Sequence, residues 1–236
     1  MISGEEVIPV IPAYEPGGEL IEIVEALKGC FPRIVVVDDG STRAKGIFKE
    51  IEAVKGVTLL RHNENRGKGA ALKTAFSYIL SAYRDVCGVV TVDADGQHLI
   101  SDIRSVAGAL ARHPDRLILG TRHFKGDIPF RSRFGNIWTK WEFRILTGVL
   151  IDDTQTGLRG IPAGWLKALC GIAGDRYDYE SRMLVQGARA KKKLLQIPIT
   201  TVYLNGNRSS HFRPLVDTFR TQKALLAACF SRRVLF

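Results

Sequence analysis

The chain has 236 residues, of which 45% are hydrophobic and 25% are charged, and its formal net charge at pH 7 is +10. This length and composition predict one globular α/β domain with a sizeable core, and they exclude a disordered or collagen-like chain. Four widely spaced cysteines argue against a zinc site or a disulfide framework, whereas the positive charge suits nucleic acid, a phosphorylated substrate or an anionic membrane surface alike.

The first half of the chain alternates between predicted strands and helices. The predicted strands are residues 7–11, 34–37, 57–60, 86–92 and 117–119, several of them short apolar runs typical of strands covered on both faces. The intervening segments 20–27, 45–54, 67–82 and 100–112 are predicted helices. This alternation predicts a mostly parallel sheet with helices on both faces.

The second half is less regular. We predict a basic, aromatic-rich helical segment over 130–146, a strand-like segment over 153–161, a helix over 179–190, a strand over 194–202 and a final helix over 214–236. Residues 1–213 are therefore assigned to a single α/β domain, and residues 214–236 to a C-terminal tail.

No targeting signal is predicted. The first six residues lack the basic start and long apolar run of a signal peptide, and the most apolar tract, residues 224–230, is too short to span a bilayer. We expect a cytoplasmic protein, with peripheral contact to the inner face of the cell membrane as an open alternative.

Polar clusters follow four of the predicted strands. Ligands of parallel sheets bind beyond the carboxyl ends of the strands, so we expect these clusters to share one rim. They are Pro12-Ala13-Tyr14-Glu15, Asp38-Asp39-Gly40-Ser41, Asp93-Ala94-Asp95-Gly96-Gln97-His98 and Gly120-Thr121-Arg122.

Asp93 and Asp95 place two carboxylates directly after an apolar strand. Hard divalent cations such as Mg²⁺ and Mn²⁺ often bind one or two carboxylates together with substrate phosphates. The alternative is that this Asp-x-Asp caps the helix near Ile100 or forms an Asx turn. The strand that precedes it favours the metal site.

Asp38 and Asp39 also follow an apolar strand, where a carboxylate can accept hydrogen bonds from a base or a ribose hydroxyl. The alternative is that Ser41 caps the next helix, and the two roles are compatible.

The segment 65–69, Asn-Arg-Gly-Lys-Gly, is similar to an anion-binding helix start. Its glycines let backbone amides approach a phosphate, and Lys68 adds a cation. The spacing is not that of a Walker loop, and a solvated turn before a helix is the alternative.

In this order and at these strand ends, the motifs resemble family 2 glycosyltransferases of the GT-A fold. The resemblance is dense over residues 7–122 and looser to about 213. Asp93-x-Asp95-x-Gln97-His98 is most similar to the branch of dolichyl-phosphate mannosyltransferases and bacterial polyprenyl-phosphate glycosyltransferases. The resemblance implies one Rossmann-like GT-A domain and an inverting, metal-assisted transfer of a hexose from a UDP- or GDP-sugar to a polyprenyl phosphate.

The resemblance also implies residues for the donor. Asp93, Asp95 and Gln97 would hold Mg²⁺ or Mn²⁺ on the diphosphate, which makes Asp95 and Gln97 catalytic. The implied nucleotide-binding residues are Pro12, Ala13, Tyr14, Glu15, Asp38, Asp39, Lys68, Asp93, Ala94 and Arg208. Residues 210–212, Ser-His-Phe, depart from the Ser-Lys ending of mannosyltransferases, so a UDP-sugar stays open beside GDP-mannose.

Two groups of residues are expected to bind the acceptor. Guanidinium groups suit phosphate oxygens, which favours Arg122, Arg131 and Arg133, with Arg131 also counted as catalytic. Residues 153–160 resemble the same branch, where Asp153, Gln155 and Thr156 would contact sugar hydroxyls or shape the acceptor pocket. A solvated basic face and a polar turn are the respective alternatives.

Glu180 is the predicted general base if the acceptor is an alcohol. A polyprenyl phosphate is already ionised at neutral pH and needs no strong base. The alternatives for Glu180 are a helix-surface carboxylate or a salt-bridge partner.

Other functions fit parts of the sequence. A glycan of the cell envelope is an alternative acceptor. A sugar-1-phosphate nucleotidyltransferase needs a glycine-rich basic loop after the first strand, where this chain has Pro12-Ala13-Tyr14-Glu15. A nucleic-acid binder lacks any recognisable motif here, so we expect no nucleic-acid partner.

The tail over residues 214–236 alternates apolar and basic residues in the manner of an amphipathic helix. Such a helix suits an anionic bilayer surface. Packing on its own domain or on a second copy in a homodimer is an equal alternative.

Overall fold

The computed structural model describes residues 6–122, 140–141 and 143–200. Within these ranges the strands are β1 (Glu6–Ala13), β2 (Ile34–Asp38), β3 (Val57–Arg61), β4 (Val86–Thr91), β5 (Arg116–Arg122), β6 (Arg159–Pro162) and β7 (Lys193–Ile199). The helices of eight or more residues are α1 (Glu19–Lys28), α2 (Lys45–Glu52), α3 (Lys68–Ala82), α4 (Ile100–Arg112), α5 (Ala163–Cys170) and α6 (Asp178–Arg189).

The strands form one sheet in the order β3-β2-β1-β4-β6-β5-β7. All neighbouring strands are parallel except at β6, which is antiparallel to both β4 and β5. Ala13 pairs with Asp38 at the ends of β1 and β2, and Val10 pairs with Thr91 near the end of β4. This register brings the loops after β1, β2 and β4 to the same rim of the sheet.

Helices cover both faces of the sheet, as the apolar strands predict. Ile8 and Val10 of β1 point to the face covered by α3, α5 and α6. Val7 and Ile11 point to the opposite face, which α1, α2 and α4 cover. Because both faces are buried, the strands cannot shift by one residue without moving apolar side chains to the wrong layer.

The structure confirms the predicted α/β class and every strand and helix of the first half. The prediction for the second half is less accurate: the segment 153–161 is a strand only from Arg159, and α5 was not predicted. Most of the predicted helix over 130–146, the end of the strand over 194–202 and the whole tail lie outside the described residues. Within the described ranges, no helix has the length and hydropathy required to cross a membrane.

Candidate active site

Three charged side chains meet beyond the end of β4. Lys68 at the start of α3 places Nζ 2.6 Å from Oδ1 of Asp93 and 2.9 Å from Oε2 of Glu180 in α6. On the other side of the Asp93 carboxylate, Nε2 of His98 lies 3.3 Å from Oδ2. Elements far apart in the sequence therefore build one ionic cluster, which we call the Lys68 cluster (Lys68, Asp93, His98 and Glu180).

The two aspartates that follow β4 have opposite electrostatic environments. Burial by itself would raise the pKa of Asp93, but Lys68 and His98 outweigh burial and hold that pKa well below the usual aspartate value. Burial raises the pKa of Asp95, and the negative charge of Asp93 raises it further. At neutral pH, Asp93 is thus already neutralised by a protein cation, whereas Asp95 is a carboxylate that a further cation would stabilise.

Asp95 fits a divalent cation that takes most of its ligands from substrate and water. Its Oδ1 accepts a hydrogen bond from the Gln97 N–H at 3.1 Å, so an Asx turn orients the side chain. In the described ranges, no group of three or more His, Cys, Asp or Glu side chains forms a metal cage made of protein alone. Mg²⁺ and Mn²⁺ suit such a site, because they readily combine one or two carboxylates with phosphate oxygens.

The alternatives for Asp93 and Asp95 are partly confirmed. The Asx turn at Asp95 is present. Capping of α4 is wrong, because α4 begins after Leu99 with no side-chain hydrogen bond to its first turn. The assignment of Asp93, Asp95 and Gln97 as metal ligands stays a prediction.

Asp39 is bound by the chain itself. It is 3% exposed, its Oδ1 accepts a hydrogen bond from the Arg66 N–H at 3.0 Å, and its Oδ2 accepts one from the Gly67 N–H at 2.7 Å. Nδ1 of His62 lies 2.6 Å from Oδ1. The helix start over residues 65–69 does bind an anion, but that anion is the carboxylate of Asp39. Lys68, in the same segment, points instead to the carboxylates of Asp93 and Glu180.

Glu15 joins the loop after β1 to the start of α2. Its carboxylate accepts hydrogen bonds from the backbone N–H groups of Thr42, Arg43 and Ala44 at 2.8–3.2 Å. Glu15 adopts φ of 46°, an unusual backbone conformation for a residue with a side chain. Glu15 therefore holds the loop that carries Tyr14, whose side chain is exposed. The nucleotide-binding role of Glu15 stays a prediction.

Ser41 does not cap α2, so that alternative is wrong. The helix begins at Lys45, and the residue before it makes no side-chain cap. The Ser41 hydroxyl instead accepts a hydrogen bond from the Glu15 N–H at 2.8 Å, and the Ser41 N–H donates to Oδ1 of Asp38 at 2.8 Å. Asp38 thus shapes the same turn, while Pro12 and Ala13 are buried at the end of β1.

Arg122 and Asp153, both predicted to bind the acceptor, bind each other. Arg122 donates from Nε to Oδ2 of Asp153 at 2.6 Å and from Nη2 to Oδ1 at 3.2 Å. The Asp153 side chain is fully buried, whereas that of Arg122 is 29% exposed. Gln155 is exposed beside them, and Thr156 is buried with its hydroxyl accepting the Leu158 N–H.

Arg159 connects the two sides of the site and was not predicted to have a role. Its guanidinium is buried and donates to the carbonyl oxygens of Thr154, Thr156 and Glu180 at 3.3, 2.9 and 2.7 Å. Burial lowers its pKa below the usual arginine value. A signal was present in the sequence, because Arg159 stands alone among Leu158, Gly160 and Ile161, where a charge needs partners.

Three predicted site residues lie outside the described residues. They are Arg131 and Arg133, assigned to the acceptor, and Arg208, assigned to the donor. Ala94 and Gln97 lie within the described loop after β4, at the same rim as Asp95.

Gly157 touches the carboxylate of Asp93. A Cβ at this position would lie 2.1 Å from Oδ2 and 2.6 Å from Oδ1 of Asp93, which Lys68 and His98 hold in place. We expect Gly157→Ala to displace Asp93, to lower turnover by about 100-fold and to cost about 1–3 kcal/mol in the free energy of unfolding. Steady-state kinetics and denaturant unfolding measure the two effects.

Gly108→Ala is the matched control for Gly157→Ala. Gly108 lies in α4, where an added Cβ meets only the flexible Arg112 side chain at 3.5 Å. Because alanine favours a helix, this variant is expected to keep activity and to gain up to about 1 kcal/mol. Equal activity of the two variants would contradict the assigned contact between Gly157 and Asp93.

The fold and the site together define an α/β enzyme that binds its ligand at the carboxyl ends of parallel strands. Residues 10–164 match the family model described as Glycosyl transferase family 2. Because this match covers more than half of the chain, the chain belongs to glycosyltransferase family 2 and is a nucleotide-sugar-dependent glycosyltransferase of the GT-A fold.

Several relatives match most of the chain. It is 28% identical over 215 residues to the UDP-N-acetylglucosamine–dolichyl-phosphate N-acetylglucosaminyltransferase of Methanococcus voltae, a match that covers 82% of this chain and 84% of the relative. It is also 28% identical over 206 residues to the undecaprenyl-phosphate mannosyltransferase of Micrococcus luteus, with 83% of each chain covered.

A solved structure supports the fold. Glucosyl-3-phosphoglycerate synthase from Mycobacterium tuberculosis, in complex with Mn²⁺, UDP-glucose and phosphoglyceric acid, superposes with a TM-score of 0.69 at 16% identity. The match covers 96% of this chain and 80% of the other chain. At this identity the likeness shows the GT-A fold alone.

Proposed function

We propose that the chain transfers a hexose from a UDP- or GDP-sugar to the phosphate of a polyprenyl carrier, with inversion at the anomeric carbon. An oxygen of the lipid phosphate would attack the anomeric carbon as the bond from that carbon to the diphosphate breaks, and the nucleoside diphosphate would leave. The names of both relatives support this proposal, since one specifies dolichyl phosphate and the other undecaprenyl phosphate.

The pairing of Glu180 with Lys68 is the observation that carries the choice of a phosphate acceptor. Oε2 of Glu180 lies 2.9 Å from the Lys68 ammonium. This oxygen is committed to the ion pair, so it is not placed to take a proton from an acceptor hydroxyl as a general base. A hydroxyl acceptor would need such a base, whereas an ionised lipid phosphate does not.

On the donor side, Asp95 is proposed as the main protein ligand of Mg²⁺ or Mn²⁺, with Asp93 and Gln97 beside it. Bound there, the ion would neutralise the charge that develops on the diphosphate. Asp93 is proposed to stay ionised and fixed through Lys68 and to orient the nucleotide. Tyr14, exposed on the same rim, is proposed to contact the base.

On the acceptor side, Arg122 is proposed to bind the lipid phosphate, oriented by its bidentate pair with Asp153. Gln155, exposed next to this pair, is proposed to contact the acceptor or the sugar. Arg131 and Arg133 are proposed as further phosphate ligands and Arg208 as a diphosphate ligand.

The division of the chain is also a proposal. Residues 1–213 would form the catalytic domain, and residues 214–236 would form an amphipathic helix that lies on an anionic membrane surface or joins two subunits. A polyprenyl phosphate acceptor would place the enzyme at the cytoplasmic face of the membrane.

A donor and acceptor screen tests the proposed reaction. The purified chain is incubated with UDP-glucose, UDP-galactose, UDP-GlcNAc or GDP-mannose, with Mg²⁺ or Mn²⁺, and with undecaprenyl phosphate or unphosphorylated undecaprenol. We expect one donor to release its nucleoside diphosphate only with the lipid phosphate, and to label the lipid fraction. The anomeric coupling constant of the product checks inversion. Absence of transfer to undecaprenyl phosphate from every donor, or equal transfer to undecaprenol, would contradict the proposed acceptor.

A further inference from the structure

One oxygen of the Glu180 carboxylate has no partner among the residues that the structure describes. The residue is 8% exposed, its Oε1 is buried, and nothing in the described part of the chain donates a hydrogen bond to it. The other oxygen, Oε2, is paired with Lys68 at 2.9 Å. A buried carboxylate oxygen without a donor is unfavourable, so a native structure that keeps one calls for an explanation.

Glu180 lies where the donor side of the site meets the acceptor side. Its carboxylate is tied through Lys68 to Asp93, which follows β4 on the donor side. Its carbonyl accepts a hydrogen bond from Arg159, which also binds the carbonyl of Thr154 in the loop beside Arg122 and Asp153. The sugar that is transferred must occupy the space between the diphosphate and the acceptor, which is the region that Glu180 borders.

We infer that Oε1 of Glu180 accepts a hydrogen bond from a hydroxyl group of the donor hexose. This inference rests on the proposed function, because it takes the ligand to be a nucleotide-sugar. A sugar hydroxyl can donate one hydrogen bond, and an ionised carboxylate can only accept. Lys68 fixes Oε2, so the second oxygen keeps one orientation.

The contact makes Glu180 a residue that selects the sugar and not the nucleotide. A hexose with the matching hydroxyl satisfies Oε1, whereas a deoxy sugar leaves a buried charged acceptor unpaired. Sites built to hydrogen-bond a hydroxyl strongly reject analogues that lack it, because the buried polar group then has no partner.

Glu180→Gln is the appropriate test because Lys68 determines how the new amide is oriented. The ammonium favours the amide oxygen, so the amide NH₂ group takes the place of Oε1 and presents a donor in place of an acceptor. Calorimetry without any acceptor compares the affinities for the nucleoside diphosphate and for the nucleotide-sugar. We expect the nucleoside diphosphate to bind within about 2-fold of wild type and the nucleotide-sugar to bind roughly 10-fold more weakly.

Deoxy analogues of the donor identify the hydroxyl. Wild type is expected to lose roughly 10-fold or more in affinity for one deoxy-hexose donor, and Glu180→Gln is expected to show no further loss with that analogue. Asp178→Asn is the matched control: it removes a carboxylate from the same turn of α6, where Asp178 pairs with Arg182 outside the Lys68 cluster. This control should bind both ligands as wild type does.

Two results would overturn the inference. Unchanged binding of the nucleotide-sugar by Glu180→Gln would mean that Oε1 contacts no sugar hydroxyl. An equal loss for nucleotide and nucleotide-sugar would mean that the substitution disturbs the whole site. Because no acceptor is present, failure of transfer to the lipid phosphate would contradict the proposed function and leave this test intact.

Discussion

Asp95→Asn is expected to lower turnover by about 10²–10³-fold while the protein stays folded. The carboxylate is the protein group that we propose to hold a cation against the charge that develops on the diphosphate, and removal of one such electrostatic contact typically costs this much. Asparagine keeps the shape of the side chain and the Asx turn to the Gln97 N–H. The rate of nucleoside diphosphate release at saturating donor and metal measures the effect.

The stability of Asp95→Asn should move in the opposite direction to its activity. Burial and the charge of Asp93 both disfavour the ionised form of Asp95, as the raised pKa of this group indicates. A neutral amide removes this repulsion, so the free energy of unfolding at pH 7 is expected to be unchanged or up to about 1 kcal/mol higher.

Asp115→Asn provides the control for this variant. Asp115 is exposed just before β5, at the opposite end of the strand from the site, and pairs with Lys193. Its replacement is expected to leave turnover unchanged. Full activity of Asp95→Asn would contradict the proposal that Asp95 binds the metal. Equal loss in both variants would point to a general effect of charge.

The sheet and its first-half helices were predictable because burial imposes a pattern on the sequence. Strands covered on both faces require continuous apolar runs, and β2 has this pattern from Ile34 to Val37. The direction of β6 carries no such signal, since its four residues, Arg159–Pro162, would be equally buried in either direction. The short helix α5 was missed because it follows Pro162 directly and contains Gly164, a poor helix former.

The rim that carries the site was predictable, but the partners of its polar residues were not. Topology alone places the clusters after β1, β2 and β4 together. A carboxylate at the rim can bind either a ligand or the chain itself. Which of the two it binds depends on backbone amides of loops that are distant in the sequence. Asp39 is bound by the amides of Arg66 and Gly67, and Glu15 by those of residues 42–44. No local sequence pattern predicts either contact.

The same limit explains why Arg159 and the Lys68 cluster emerged only from the structure. Lys68 was predicted to meet a phosphate, yet it lies between Asp93 in the loop after β4 and Glu180 in α6. Asp93, Glu180 and Lys68 together carry one negative charge, and the Asp95 carboxylate carries a second. A divalent cation at Asp95 would therefore neutralise this region.

Lys68→Met is expected to destabilise the fold by about 3–5 kcal/mol, the usual cost of removing one partner from a buried ion pair. The Lys68 side chain is 15% exposed, and its loss leaves Asp93 and Glu180 as like charges without a cation between them.

Lys73→Met is the matched control on the same helix. Lys73 is 18% exposed but pairs with Asp175, which is 62% exposed, so its replacement should cost only about 1 kcal/mol. Denaturant unfolding at pH 7 compares the two.

A second substitution distinguishes lost attraction from uncompensated charge. Lys68→Met with Glu180→Gln is expected to be more stable than Lys68→Met alone, because one of the two unpaired carboxylates becomes neutral. If the losses of unfolding free energy in the two single variants simply added in the double variant, the ion-pair origin of the effect would be contradicted. Lost packing around the lysine stem would then be the cause.

The cost of Lys68→Met should also depend on pH at both extremes. Asp93 has a pKa below its ordinary value of 3.8, so its contribution to stability is present above about pH 4 and is lost as the pH falls through the lowered pKa. Lys68 has a pKa above its ordinary value of 10.5, so its contribution is present below that pH and is lost as the pH rises through the raised pKa. The difference in unfolding free energy between wild type and variant should therefore be largest between about pH 4 and pH 10, and should narrow on either side. A difference that stayed constant down to pH 2 would mean that the ion pair with Asp93 contributes nothing to stability.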